Sequence, residues 1–501
     1  MKMTAKMLAG LMGLLFAMAA QATVVEGRLE LLWGDPAHGR GDAQFHATLV
    51  TDAGQRFALD PEQALRAADD LYALASRRVA VDFSPVSKGA LPYGIEAIVA
   101  ADASKAKAAN TKVLGTTVWV TLMCKFSDSA TEQKPLSFFQ SQYGNTPGQL
   151  DHYWREVSYN KINLTGSSAH GWFVLPHPRS FYVTGTAPNE DANLNQLFDD
   201  CTTAANASVN FAAGGGVQGI NMMFNGDLDG YAWGGGRCTT LDGVNKCWST
   251  TWNPPWSFGN LAPLSHEMGH GYGLPHANNS DGDADPYDNP WDVMSDAWSN
   301  AVQNATYGAI AKHINVYHRT LLGWMDIPRR RVIAAGTQVS GIQLDRASLI
   351  GSTHTQMIQV FVPGEPSSHH YTIEARKRFG NYDANLAGDA VIIHQVNPSR
   401  ATPAQSMDAD VPPANRANNQ GSMFKVGEVW TAPGNTFRVR VSSATANGFV
   451  VAVCGPRGAQ ARQGWPRFDN CDVVQGPGHG VDRTPGFPPN PNPVPRTVVK
   501  P

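Results

Sequence analysis

The chain has 501 residues, enough for two to four domains of ordinary size, which excludes a peptide or a single small module. Its 39 Lys and Arg against 42 Asp and Glu give a formal net charge of -3, so it lacks the basic footprint with which nucleic-acid binders grip phosphates. With 49 Gly, 33 Pro and only 16% charged residues, the composition is that of a turn-rich globular protein.

The first predicted element is a leader. Lys2 and Lys6 mark a positive start, Met7 to Ala20 is apolar, and Ala20-Gln21-Ala22 offers the small-x-small pattern after which a signal peptidase cuts. Residues 1–22 are thus expected to be removed, leaving a mature chain from near Thr23. The apolar run, about 14 residues, is too short to span a bilayer comfortably. No later stretch approaches such a span, and no cysteine follows the run to carry a lipid. An exported protein, extracellular or periplasmic, is expected, with no transmembrane segment.

Residues 23–112 form the next unit. Arg28 to Trp33 and Phe45 to Val50 alternate apolar with polar, and Asp52-Ala53-Gly54 turns into a third strand from Arg56 to Leu59. Asp60-Pro61-Glu62-Gln63 then supplies an N-cap, a proline at the first helical position and a capping-box glutamine, opening a helix that carries Leu65, Leu71 and Leu74. This small α+β unit ends near Val99. Ala100 to Lys112 is small, polar and lysine-bearing, with too little apolar content to pack, and is expected to be an exposed connector open to nicking. The unit reads as a propeptide-like segment removed by cleavage at that connector, with a permanently attached folding or binding domain as the alternative. It contains no cysteine.

Residues 113–330 change pattern. A strand at Val118 to Met123 is followed by a helix with Leu150, Tyr153, Trp154 and Val157 on one face, and by a second with Leu194, Leu197, Phe198 and Cys201 at i, i+3, i+4 and i+7. Ile220 to Phe224 is a short apolar strand, and a helix is expected from Ala309 to Leu322, closed by Gly323, with His313 and His318 as surface or packing residues. Strands alternating with helices predict a mixed, largely parallel sheet. From 331 to 454 the helical periodicity is gone. Short runs at Met357–Val362, Tyr371–Glu374, Val391–Val396, Phe437–Val441 and Phe449–Val453 predict an all-β module. Residues 455–501 are a Pro/Gly-rich tail expected to be extended or disordered apart from what Cys471 ties down.

The six cysteines are expected to be oxidised in an exported chain. They allow fifteen pairings. Cys238 with Cys247 and Cys454 with Cys471 would close short loops and leave Cys124 with Cys201, but sequence does not choose among the alternatives.

One stretch outweighs the rest: Ser265-His266-Glu267-Met268-Gly269-His270-Gly271-Tyr272-Gly273-Leu274-Pro275-His276 contains H-E-x-x-H-x-x-G-x-x-H. On a helix His266 and His270 lie on one face, where two imidazoles can bind one metal with Glu267 beside them. Gly273 permits a left-handed exit from the helix, which can swing His276 back as a third ligand. Three protein ligands leave a fourth position open for water, as in catalytic zinc sites. Five fixed positions should arise by chance in roughly one chain in ten thousand.

This long motif resembles that of the metzincin clan of zinc endopeptidases, whose next mark is a methionine turn, matched here by Trp291-Asp292-Val293-Met294-Ser295. The resemblance implies that Met294 forms a hydrophobic floor under the three imidazoles. Tyr153 to Leu164, Gly171-Trp172, Tyr371 to Glu374 and Ala390 to Val396 look like the gametolysin type and, more distantly, the immune-inhibitor-A type. His276 stands where the latter has an acidic ligand, which favours the gametolysin side, and no tyrosine stands two residues after Met294. The resemblance, over about residues 113–400, implies an α+β metzincin-type catalytic domain. There zinc would be bound by His266, His270 and His276, with Glu267 as general base, and extended polypeptide would lie antiparallel to an edge strand at Gly230 to Gly234. Tyr231, Ala232 and Trp233 fall in that strand. A monomer acting on protein substrate, without nucleic acid, is expected.

Weaker signals remain. Gly214 to Gly219 matches G-x-G-x-x-G but precedes a strand instead of opening a helix, so it reads as a loop. Asp281, Asp283, Asp285 and Asp288 could bind calcium, though Pro286 stands where an EF-hand loop needs glycine. Two rival functions stay open: zinc-dependent hydrolysis of cell-wall peptides, and a catalytically inactive exoprotein that binds protein or glycan.

Overall fold

The computed structural model describes residues 23–37, 42–85, 93–101, 113–213, 216–410, 420–456 and 471. The expected leader, nearly all of the connector and all but three residues of the tail lie outside the described residues. The fold is α+β and dominated by sheet. Among the described residues no helix is long and apolar enough to cross a membrane.

The frame is a ten-stranded sheet. At one end of it Ser168–Val174, Trp119–Lys125, Gly219–Phe224 and Val244–Asn253 run parallel to one another. Trp119 to Cys124 is buried on both faces, and Thr121 alone interrupts its apolar run. Its alternation divides two cores: Trp119 and Met123 face the helices Leu150–Val157 and Leu261–Gly271, while Val120, Leu122 and Cys124 face the helix Leu194–Ala205. Cys124 is bonded to Cys201 on that helix, and the other two disulfides join Cys238 to Cys247 and Cys454 to Cys471. These three bonds are compatible with an extracellular location.

Beyond Val244–Asn253 the sheet turns antiparallel. Tyr231–Leu241 pairs with it on one side and with Thr23–Pro36 on the other, so strands of the N-terminal unit continue the same sheet. Gln44–Val50, Arg56–Leu59, Arg78–Pro85 and Tyr93–Ala100 complete it. Leu29, Leu31 and Trp33 consequently share a core with Leu261, Leu264 and Met268.

Two helices are shorter than their periodicity predicts. Asp60 does cap Gln63 N–H at 2.9 Å, but the helix stops at Ala67 and residues 72–74 form a separate 3-10 turn. Ala68 is extended, and the Asp70 side chain accepts from Ala73 N–H, restarting the chain. Gln63 does not close a capping box, because its amide oxygen accepts from Ile95 N–H of the facing strand. Likewise only Val316–Leu321 is helical in the 309–322 stretch, since Gly308–Ile310 pairs with Val302–Asn304 and Asn315 caps the helix anew through His318 N–H. His313 and His318 are packing residues, both fully buried: His318 Nδ1 lies 2.8 Å from Asp292, and His313 Nε2 lies 3.2 Å from Glu156.

The β-rich C-terminal part holds a six-stranded and a four-stranded sheet around one core that includes Ile358, Ile373, Val439 and Val451. The six-stranded sheet also recruits Ala277–Asn279, which lies parallel to Ala404–Ser406. The segment just after His276 is therefore anchored to the C-terminal β structure.

Candidate metal centre

The helix Leu261–Gly271 carries His266 and His270 four residues apart. Gly273, at φ +93°, takes the left-handed turn that only glycine adopts readily, and His276 returns to face them. The three Nε2 atoms lie 3.0, 3.2 and 3.3 Å apart. Tetrahedral ligands on metal–nitrogen bonds of about 2.0–2.1 Å would sit about 3.3–3.4 Å from one another.

The outer nitrogens fix the tautomers of two of the rings. His266 Nδ1–H donates to Val293 C=O at 2.6 Å and His270 Nδ1–H to Leu274 C=O at 2.7 Å, so both Nε2 lone pairs point inward. Nitrogen lone pairs gathered this closely repel one another unless a cation lies between them. The donor set thus fits a metal ion.

A fourth group enters this centre from far away in sequence. Asp35, at the end of Thr23–Pro36 and 241 residues before His276, places Oδ1 2.7 Å from His276 Nε2 and 3.4 Å from His266 Nε2, with Oδ2 3.3 Å from His270 Nε2. Tyr287 O–H donates to the same Oδ1 at 2.6 Å. This buried set of three histidines and one aspartate could hold a metal ion. Burial alone would raise the Asp35 carboxyl, but His276 and His266 outweigh it and hold it well below the usual carboxylate range. Neither Asp35 nor Tyr287 was singled out from sequence. The available signal was alternation, which puts Asp35 on the same face as the buried Leu29, Leu31 and Trp33, where an apolar residue is expected.

Glu267 is buried, and its Oε2 has no hydrogen-bond partner. Burial, then the negative charge of Asp35, pushes its carboxyl well above the ordinary range. It lies against Gly234, where a Cβ would meet Glu267 Oε2 at 2.8 Å. A cavity of about 420 Å³ opens beside it, lined among others by Asp35, Trp256, His266, Tyr287 and Trp298.

Met294 is fully buried beneath the helix, so close to Gly269 that a Cβ there would collide with its sulfur. The turn is pinned by Asp292, which accepts from Met294 N–H and Asn315 N–H and pairs with His318. Met294 C=O in turn accepts from Ala277 N–H, one residue beyond His276.

Tyr231, Ala232 and Trp233 begin the strand beside the centre, yet its outer edge is not free. Pro36, Asp35 and Gly34 lie directly opposite these three residues in antiparallel register. Trp233 is buried, its indole N–H donating to Asp229, while Tyr231 O–H donates to Asp42 C=O. Of the glycine motif, residues 214 and 215 lie outside the described residues, and 216–218 are irregular chain leading into the strand Gly219–Phe224.

In the acidic loop Asp281, Asp283 and Asp288 each bring an oxygen within 4.8 Å of the others, whereas Asp285 turns to accept from Tyr287 N–H. Burial, together with the negative neighbours Asp281, Asp285 and Asp283, pushes the Asp288 carboxyl up to about 7 against the hydrogen bond from Asn279 N–H. A carboxyl raised in this way costs the fold stability increasingly between about pH 4 and 7, and in full above that. In calcium-free buffer Asp288→Asn should therefore raise Tm at pH 8, the gain shrinking below pH 7 and vanishing near pH 4. If this loop binds calcium, millimolar calcium should reverse that order; a solvated acidic loop would leave it unchanged. Melting curves with and without the ion check both.

No protein-family model matches this chain, and no curated protein matches it either. The chemistry of the centre therefore rests on its own residues.

Proposed function

We propose that the protein is an exported zinc-dependent endopeptidase of metzincin type, with His266, His270 and His276 as metal ligands and Glu267 as general base. The observation that carries this is the convergence of three buried Nε2 atoms beside a buried, unpartnered carboxylate oxygen. Nitrogen and oxygen donors in a tetrahedral set suit zinc, and a purely structural site has no use for Glu267.

When bound, the metal would supply a Lewis acid and lower the pKa of its water toward about 7. The chain's own residues do the rest. Val293 and Leu274 carbonyls keep two imidazoles in the tautomer that presents Nε2. Met294 and Gly269 set the depth of the floor, and Trp256 and Trp298 shield the cavity. Glu267 takes the proton from the attacking water at Oε2 and returns it to the leaving amine, a role that needs a carboxylate able to hold a proton near neutrality. Extended polypeptide would bind by backbone hydrogen bonds along Gly230 to Gly234 once the strand Thr23–Pro36, which pairs with Tyr231 to Gly235 here, has left that edge.

Two measurements test this. Metal analysis should return about one zinc per chain. Matured protein should clear a casein gel, lose that activity to a chelator and regain it with zinc. Activity on a peptidoglycan digest but not on casein would transfer the reading to cell-wall peptides, and zinc without hydrolysis of either would favour a binding protein.

A further inference from the structure

Three arginines meet on the face of the ten-stranded sheet turned away from the metal centre. Val50 stands opposite Arg28 on one neighbouring strand and opposite Arg56 on the other, so the three side chains share a face. Arg28 and Glu30 alternate with the buried Leu29, Leu31 and Trp33, which places them on the side away from Asp35 and the histidines. Gly235 stands opposite Leu32, and alternation brings Arg237 to that same side. There Arg28, Arg56 and Arg237 line a cavity of about 290 Å³, together with Asp52, Thr239 and Thr240.

The carboxylates around this cavity are already engaged. Glu30 accepts from Arg56 Nη2 at one oxygen and from Cys238 N–H, at 2.7 Å, at the other. Both oxygens of Asp52 accept from Arg78 Nη1, at 2.7 and 2.6 Å. Asp199 reaches Arg237 at 3.5 Å from an exposed position. Arg237 is nevertheless only 8% exposed, and its Nε and the buried Nη1 of Arg56 have no hydrogen-bond partner among the described residues. Burial, then the charge of Arg56, pushes the Arg237 guanidinium below its ordinary value, as happens when buried cations gather without an anion between them. A buried charged donor left unbonded is costly, and an acceptor supplied from outside would remove that cost.

We propose that this cavity binds a small tetrahedral oxyanion of the phosphate type, free or as the ester of a small molecule, held by Arg237 Nε and Arg56 Nη1 with Arg28 adding charge. Donors on separate guanidinium groups suit the several oxygens of such an anion, and guanidinium matches phosphate in geometry and charge. The volume lies at the low end of the roughly 300–1,000 Å³ of small-molecule pockets, which suits a small ion or ester rather than a polymer. Arg28 and Arg56 come from the N-terminal unit and Arg237 from the strand Tyr231–Leu241, so the anion would tie these two parts of the sheet together. The site does not depend on the metalloenzyme reading.

The test is isothermal titration of the whole chain from Thr23, in about 0.1 M chloride to screen loose ion pairing, with inorganic phosphate in one arm and glycerol phosphate in the other. The wild type should bind about one anion per chain, and Arg237→Gln should weaken that binding at least about tenfold with metal content unchanged. If Arg237→Gln does not fold, Arg28→Gln, at a less buried position, decides in its place and should weaken binding severalfold. Tighter binding of the ester places the phosphate on a larger molecule, equal or tighter binding of the free ion makes inorganic phosphate the ligand, and both support the site. No saturable binding of either anion, or an affinity that the folded variant leaves unchanged, would overturn it, and neither result would touch the metal centre.

Discussion

Replacing Glu267 by Ala is expected to lower peptide hydrolysis by about 10²- to 10⁴-fold while leaving about one zinc per chain, because the three imidazoles stay and only the proton acceptor is lost. The side chain is well suited to so clean a removal. Its Oε2 has no hydrogen-bond partner among the described residues, so none of them is orphaned, and the space it leaves adjoins an existing cavity. His270→Ala should differ in kind, losing metal and activity together, since it removes a proposed ligand whose Nδ1–H also donates to the Leu274 carbonyl. Metal analysis and turnover of a quenched peptide, both on matured protein, separate the two variants. Near-normal turnover in the Glu267 variant would end its role as general base.

Replacing Asp383 by Ala should destabilise the fold by about 3–5 kcal/mol, the typical consequence of leaving a buried charge without its partner. Arg376, fully buried on the strand His370–Arg376, donates from Nη2 to Asp383 at 2.9 Å and from Nη1 to the Trp291 carbonyl at 2.6 Å. Asp383 also accepts from His313 N–H, and the buried Lys312 lies close enough to interact with it, its Nζ having no hydrogen-bond partner among the described residues. These contacts join the C-terminal β structure to the loop that carries Met294. Burial by itself would raise the Asp383 carboxyl, but Arg376 overrides it and holds it below the ordinary range. Its contribution is therefore present above about pH 4 and is lost as pH falls through the lower, folded-state value. Chemical denaturation at neutral pH should show the loss, and pairing Asp383→Leu with Arg376→Met should recover much of it. A fall of under 1 kcal/mol in the single variant would mean that the Arg376 charge finds compensation elsewhere.

What the sequence determined by itself is local. His266 and His270 share a helical face because four residues make about one turn, and Gly273 marks the exit because a left-handed residue is costly for any other side chain. The double-sided burial of Trp119–Lys125 and the inward face of Leu194–Ala205 follow from the same short-range periodicities. Helix length was less legible, because apolar periodicity does not register the local bonds that compete with a helix: the Asp70 side chain accepting from Ala73 N–H in one case, the hairpin of Val302–Asn304 with Gly308–Ile310 in the other. Only the tertiary structure decided that Asp35 stands among the three histidines and that Tyr231–Leu241 is an interior strand. Alternation turns Asp35 toward a core but cannot say which one. The answer depends on a strand pairing across some two hundred residues, and sheet register is set by the fit of Gly34 under Trp233 and of Gly235 against Leu31, contacts that exist only once both strands are in place.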